Sequence, residues 1–406
     1  MKIDPEAAGM DAGRLRRIDE HLLHSYVEPG KIAGCQVLVA RHGSVAHLSS
    51  LGEMDRERSK PVADDTIWRL YSMSKPVTGV ALLTLYERGL FHLDDPVDRY
   101  IPAWRDLKVR ERADDGSKRL VEPQRPMRIR DLMMHMSGLG YSLDNSDLGP
   151  DMLRRAPSSR FGEGATLESM IERLAEAPLR FHPGTRWLYS WGTDICGRLV
   201  EILSGQPFNQ YLRSTIFEPL GMVDTGFTVP DSEIGRFAAN YTRNARKELE
   251  LLDDPERSSF RQPATFLSGG AGLVGTTADY HRFCQMLLNG GELDGVRILG
   301  RKTVELMRSN HLPGGGQMSD VALSSYGEVG FEGMGFGLTV AVSLGPVETH
   351  VVGSAGEFMW GGAASTLFWV DPAEDLLVVF MTQLIPSGTF NFRAQLKSLV
   401  YGALAD

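Results

Sequence analysis

The chain is expected to fold as a two-lobed α/β (α+β) protein, in which a mainly antiparallel sheet built from both chain ends is flanked by helices and carries an inserted helical lobe. Three observations predict this. At 406 residues the chain exceeds what one compact core usually organises. Strand-like runs occur near the start and again near the end, with a long helical stretch between them. Hydrophobic residues make up 42% and charged residues 23%, as in ordinary water-soluble globular proteins. The expected division is residues 1–90 with 240–406 for the sheet lobe and 91–239 for the helical insert, with a site between them.

Taken in order, residues 12–26 show Leu15, Ile18, Leu22 and Leu23 on one face and predict a helix. "CQVLVARHGSVAHLSSLGEMD" contains two β-rich runs around His42-Gly43 and predicts a hairpin. In "WRLYSMSKPVTGVALLTLYERGL" (68–90), Val77, Val80, Ala81 and Leu85 recur at helical spacing. Gly89 ends that pattern, and Pro76 is tolerated only in a first turn, so the helix begins close to Ser72. From about 90 to 240 the chain reads as helices and loops, broken at "FHPGTRW" and "LSGQPF". "GFGLTVAVSL", "ETHVVGSAG" and "STLFWVDPAEDLLVVFMTQL" read as returning strands, and "TFNFRAQLKSLVYGAL" as a closing helix. "LLDDPERSSFRQ" (251–262) and "HLPGGGQMSD" (311–320) read as exposed loops.

Composition excludes several function classes. A net charge of −9 argues against nucleic-acid binding, which needs a basic face. No apolar run is long enough to insert in a membrane. The charged start "MKIDPEAAGMDAGRLRRIDE" has no apolar signal core, so a cytoplasmic protein is expected. Cys35, Cys196 and Cys284 show no CxxC spacing and read as reduced, buried thiols. His21 and His24 are three apart on a helix, but no further ligands converge, so no metal is expected. Gly269-Gly270-Ala271-Gly272 lacks the lysine and strand–helix context of a phosphate loop and reads as a tight turn at the site's rim. No cofactor is implied, and oligomeric state is not readable.

Three stretches can carry chemistry. Ser72 and Lys75 are three apart at a helix start and share a face. A lysine there can activate the serine as a nucleophile, and the helix N-terminus favours developing negative charge; an ordinary helix start has the same letters. Tyr189, in a loop before a helix carrying Ile195, Leu199, Ile202 and Leu203, can take a proton beside an ammonium group or be a core tyrosine. Trp360-Gly361-Gly362 precedes a β-rich run. Glycines there permit close backbone approach and a free N–H for an oxyanion, or form a bulge without function.

These stretches, in order with "LDDPVDRYIP", "IRDLMMHMSGLGY", "PGTRWLYS", "FEPLGMVDTGF" and "LSGGAGLVGTTADYHRFCQMLLNGGEL", make the sequence resemble the superfamily of serine β-lactamases, penicillin-binding proteins and family VIII carboxylesterases. The resemblance covers nearly the whole chain and implies a β-lactamase-like fold. It implies Ser72 as the acylated nucleophile and Lys75 with Tyr189 as general base and acid, their division of labour open. It places the oxyanion on the backbone N–H groups of Ser72 and Ala363. Tyr141, in "SGLGY", matches a tyrosine of the esterase branch, and His135 a histidine read as structural. Trp191 stands where β-lactamases and penicillin-binding proteins carry the asparagine of Tyr-x-Asn or Ser-x-Asn, and Trp360 where they carry the lysine of Lys-Thr-Gly. Two indoles in place of an amide and a cation favour neutral, partly apolar esters over β-lactams. Tyr141, Trp191, Trp360, Gly361 and Gly362 are thus the expected substrate contacts. The partner is a small-molecule ester, and the rival readings are acyl transfer to an alcohol and weak β-lactam or small-amide hydrolysis.

Overall fold

A computed structural model describes residues 1–113, 115–141, 164–323 and 330–405. Its main sheet has eight strands: β1 (Gly34–Arg41), β2 (Ser44–Asp55), β3 (Lys60–Pro61), β4 (Met334–Phe336), β5 (Ala341–Ser343), β6 (Phe358–Gly361), β7 (Leu367–Asp371) and β8 (Leu376–Thr382). Their spatial order is β4-β5-β6-β7-β8-β1-β2-β3. Neighbours run antiparallel throughout. The first strand pairs with the last, from Cys35 opposite Thr382 to Arg41 opposite Leu376. The β1–β2 hairpin turns on two residues with positive φ, His42 at 53° and Gly43 at 70°, which matches the right-handed twist of the flanking strands.

Five helices organise the rest of the described core: α1 (Ala12–Leu22), α2 (Ser74–Glu87), α3 (Gly192–Ser204), α4 (Thr277–Leu288) and α5 (Phe392–Tyr401). Strand β1 is buried along its whole length, so both faces of the sheet must be covered. Phe368 faces the same side as its partner Val379, whereas Phe380 faces the other. Tyr280 of α4 packs on Phe368 at 5.2 Å between ring centroids, and Phe392 of α5 on Phe380 at 5.1 Å. The two helices therefore cover opposite faces. Helix α1 buries Leu15, Ile18 and Leu22 and packs on α5 and β2. Helix α2 is buried from Ser74 through Leu85, as a helix enclosed on all sides must be, and it packs against α3.

Three local expectations need correction. "ETHVVGSAG" (348–356) is not a strand. Pro346 opens a one-turn helix to Thr349, and Gly345, Gly353 and Gly356 take φ of 146°, 149° and 84°, which breaks the extended run despite its β-branched residues. The strand lies just beyond it, at β6. Residues 251–262 are not simply an exposed loop. Leu249–Asp253 pairs with Asn240–Arg243, and Asp253 accepts from the buried Arg69 Nε at 2.8 Å. In 311–320, a short helix begins at Met318, whose side chain is buried. The helical stretch also contains a small hairpin, Val109–Arg112 with Lys118–Val121, whose strands lack apolar alternation.

Candidate active site

Ser72 sits in a sharp strand–turn–helix connection. The short strand Ile67–Arg69 pairs with Val274–Thr276, and a tight turn over Tyr71–Met73 leads directly into α2. Tyr71 takes φ 45°, a left-handed conformation that side-chain-bearing residues hold only when their surroundings impose it. Those surroundings are visible: Asn240 Nδ2 donates to the Tyr71 hydroxyl at 3.0 Å, and Leu70 N–H donates to Leu273 O at 2.9 Å. Upstream, the fully buried Arg69 lies over the Phe237 ring at 3.9 Å. The result is a nearly buried Ser72, the residue 6% exposed, at the helix entrance.

One turn on, Lys75 is 1% exposed. Its ammonium donates to Ser72 Oγ at 3.2 Å and to Gly270 O at 2.8 Å, and lies 4.5 Å from the centre of the Tyr189 ring. The residue spacing thus becomes an actual contact. The turn Gly269–Gly272 is half-buried at Ala271 and Gly272, while Gly269 and Gly270 are buried behind Lys75. A Cβ on Gly270 would stand 2.6 Å from Asp194 Oδ2, and one on Gly269 2.9 Å from Thr193 O. Asp194, in the first turn of α3, accepts from Ser268 Oγ at 2.5 Å and from Gly270 N–H at 3.2 Å. It fixes the loop whose carbonyl holds Lys75. Sequence reasoning missed Asp194, and only its position five residues after Tyr189 hinted at it.

Tyr189 lies in the loop that turns into α3 at Gly192, and is 3% exposed. Its ring stacks on Trp187 at 6.0 Å and meets Trp360 at 5.6 Å. Trp360 Nε1 donates to the Tyr189 hydroxyl at 3.3 Å. Trp360 is fully buried, and Trp191, 2% exposed, donates from Nε1 to Tyr141 O at 3.2 Å. The Tyr141 ring lies 4.8 Å from Trp191, 5.4 Å from Tyr189 and 5.9 Å from the Lys75 ammonium. Both indoles therefore spend their N–H groups on protein acceptors, and their burial leaves them as apolar walls packed within the site. His135, also buried, packs edge-on to Tyr189 at 4.8 Å. Burial, reinforced by the nearby Lys75 charge, holds its pKa well below the ordinary 6.5, so it is a neutral imidazole.

The third stretch reaches the same place from the sheet. Strand β6 ends at Gly361, and the next turn is closed by Gly362 N–H to Thr366 O at 2.8 Å and Ser365 N–H to Gly362 O at 3.0 Å. Ala363 lies inside this turn. A Cβ on Gly362 would stand 2.5 Å from Leu70 O and 2.3 Å from Thr366 Oγ1, so a glycine is what lets the turn press against the chain two residues before Ser72. Gly362→Ala is expected to push the turn away from Leu70, cost about 1–3 kcal/mol of stability and lower turnover more than substrate affinity. Denaturant unfolding and steady-state kinetics on the same preparation check this.

Other sequence candidates lie elsewhere. His21 pairs with Gln395 at 3.1 Å and His24 with Glu28 at 2.8 Å. Among the described residues no three His, Cys, Asp or Glu side chains converge as metal ligands, and no helix is long and apolar enough to cross a membrane. The three cysteines are buried and unbridged.

Comparison with known proteins agrees with this architecture. A family profile described as Beta-lactamase matches residues 20–400. Esterase EstB of Burkholderia gladioli is 31% identical over 407 aligned positions, covering 95% of each chain. Monacolin J acid methylbutanoyltransferase of Aspergillus terreus is 30% identical, covering 80% of this chain and 79% of that protein. Among solved structures, EstCE1, described as a hydrolase with promiscuous acyltransferase activity, superposes with a TM-score of 0.78 at 30% identity, covering 96% of this chain and 99% of EstCE1. A serine held by strand, turn and helix beside a buried lysine, within a chain matched almost end to end, makes this protein a member of the Beta-lactamase family.

Proposed function

We propose that the protein is a carboxylesterase that cleaves short- to medium-chain esters through an acyl-enzyme on Ser72. The observation that carries the reading is the buried triad: Lys75 Nζ lies 3.2 Å from Ser72 Oγ, with the Tyr189 ring 4.5 Å from the same ammonium. In acylation, Ser72 Oγ bonds to the ester carbonyl carbon while its proton passes to the Lys75/Tyr189 pair. The carbonyl oxygen gathers negative charge against the backbone N–H groups of Ser72 and Ala363. The C–O bond then breaks, and the alcohol leaves with the proton returned by the pair. Water repeats the sequence and frees the acid.

Trp191 and Trp360 support neutral substrates, since apolar indoles stand where an amide and a cation would recognise anionic ones. Tyr141, Gly361 and Gly362 complete the proposed substrate contacts. The proposed lobes, 1–90 with 240–406 and 91–239, meet at this site: Ser72, Lys75 and Ala363 come from one, and Tyr141 and Tyr189 from the other. Three unbridged, buried thiols fit a cytoplasmic setting. The descriptions of EstCE1 and of the methylbutanoyltransferase favour acyl transfer to an alcohol as a second outcome of the same acyl-enzyme.

Short-chain nitrophenyl esters with and without an added primary alcohol test both readings. Release of nitrophenol with free acid is expected, with part of the acyl group recovered as a new ester when alcohol is present. No release above buffer would overturn the proposal.

A further inference from the structure

We propose that His135 is the positioning residue for Tyr189, gripping the chain on both sides of it. This inference rests on the reading of Tyr189 as part of the proton-transfer pair. The carbonyl of His135 accepts the Leu188 N–H at 2.9 Å. Its Nδ1 lies 3.1 Å from Ser190 Oγ. Leu188 and Ser190 are the two neighbours of Tyr189, so one residue holds the backbone before it and the side chain after it. Its ring also meets the Tyr189 ring edge-on at 4.8 Å and 69°, which limits how the phenol can swing.

His135 is itself rigidly held. It takes φ 57°, one residue beyond Met134, which caps the helical turn Ile129–Met133. Met136 N–H donates to Asp131 O at 2.8 Å, and the Asp131 carboxylate receives Arg125 at 2.6 and 2.8 Å and Arg128 N–H at 2.8 Å. The imidazole is enclosed by Trp187 at 5.7 Å and Phe336 at 5.8 Å.

A plain core residue explains the packing less well. Nε2 is buried without a hydrogen-bond partner among the described residues, which costs desolvation that a leucine or phenylalanine would avoid. The polarity of the ring is used at Nδ1 alone, on Ser190. Gly192 N–H donates to the same Ser190 Oγ at 3.3 Å, leaving the hydroxyl proton for Nδ1. The chain Gly192–Ser190–His135 thus ties the start of α3 to the Tyr189 segment. A neutral imidazole adds no positive charge beside Lys75.

Ser190→Ala, His135→Ala and His135→Asn test the grip without touching Tyr189. Asparagine tolerates the left-handed backbone and can turn its amide oxygen, an acceptor, to about the place of Nδ1. For the ester assay above, Ser190→Ala and His135→Ala are expected to lower kcat by about 10- to 100-fold with KM within about twofold. The double variant should be no worse than about the poorer single one, and His135→Asn should recover most of the loss. Hydrogen exchange at the Leu188 amide should speed up in the alanine variants, a readout that needs no turnover. Unchanged kcat, a loss that simply follows the melting temperature, or unchanged Leu188 exchange would each overturn the proposal. Wild-type protein without Ser72-dependent turnover would overturn the esterase reading instead, and the exchange measurement would still decide whether His135 holds this segment.

Discussion

Ser72→Ala is expected to lower kcat/KM for a short-chain nitrophenyl ester by about 10,000-fold or more, as loss of the nucleophile does in enzymes that work through an acyl intermediate. The side chain is small and buried, and among the described residues its removal deletes one hydrogen bond, with Lys75 Nζ. Stability should change by less than about 1 kcal/mol. Steady-state kinetics with intact-mass detection of a phosphonate adduct would show both effects: the wild type gains one adduct on Ser72 and the variant none. Activity within tenfold of wild type would place the nucleophile elsewhere.

Lys75→Met is expected to cost about 1,000-fold in kcat, the upper range for removing a positioned proton-transfer group. Methionine matches the unbranched stem and fills an apolar space adaptably, so the packing of α2 should survive. Among the interactions that vanish are the bond to Ser72 Oγ, the bond to Gly270 O and the charge near the Tyr189 and Tyr141 rings. The orphaned Gly270 carbonyl is buried and adds about 1–3 kcal/mol of destabilisation. Lys75→Arg should not rescue, because a planar guanidinium cannot replace a compact ammonium pointed at two oxygens. Single-turnover kinetics separates the steps: acylation should slow at least as much as overall turnover. Equal acylation rates in wild type and Lys75→Met would remove Lys75 from the chemistry.

The parts of this site legible in the sequence were those written locally. Pro76 marks where α2 can begin, so Ser72 and Lys75 had to lie close to its start. His42-Gly43 announced the hairpin because only a two-residue turn with positive φ fits between those runs. The loop that carries Tyr189 before α3 was legible from the break at Pro183-Gly184 and the periodicity that follows. What stayed hidden depends on contacts between distant segments. Asp194 and Ser268 are 74 positions apart, and neither local pattern shows that they shape the carbonyl beneath Lys75. The glycine run reads as a tight turn, and it is one; that its buried half, Gly269-Gly270, backs Lys75 depends on neighbours distant in sequence. The stretch 348–356 failed for another reason: its β-branched residues suggested a strand, and the positive-φ glycines around them overrode that preference. The burial of both indole N–H groups was equally illegible, because the Tyr189 hydroxyl and the Tyr141 carbonyl that receive them are set by tertiary packing.

The pairing of β1 with β8 has a consequence for how the protein is made. A ribosome releases the N-terminal hairpin long before its central sheet partner exists, since Leu38 must wait for Val379. The nascent chain must therefore keep an apolar strand edge unpaired for most of synthesis, the situation in which aggregation competes with folding. Once the end emerges, the two termini meet: Asp11 N–H donates to Ala403 O at 2.8 Å and Arg14 to Gly402 O at 2.7 Å. Termini this close make the chain a natural subject for circular permutation. A version opened within an exposed loop and joined end to end would bring β8 and β1 out of the ribosome as consecutive strands, turning the longest-range pairing of the sheet into one of its shortest.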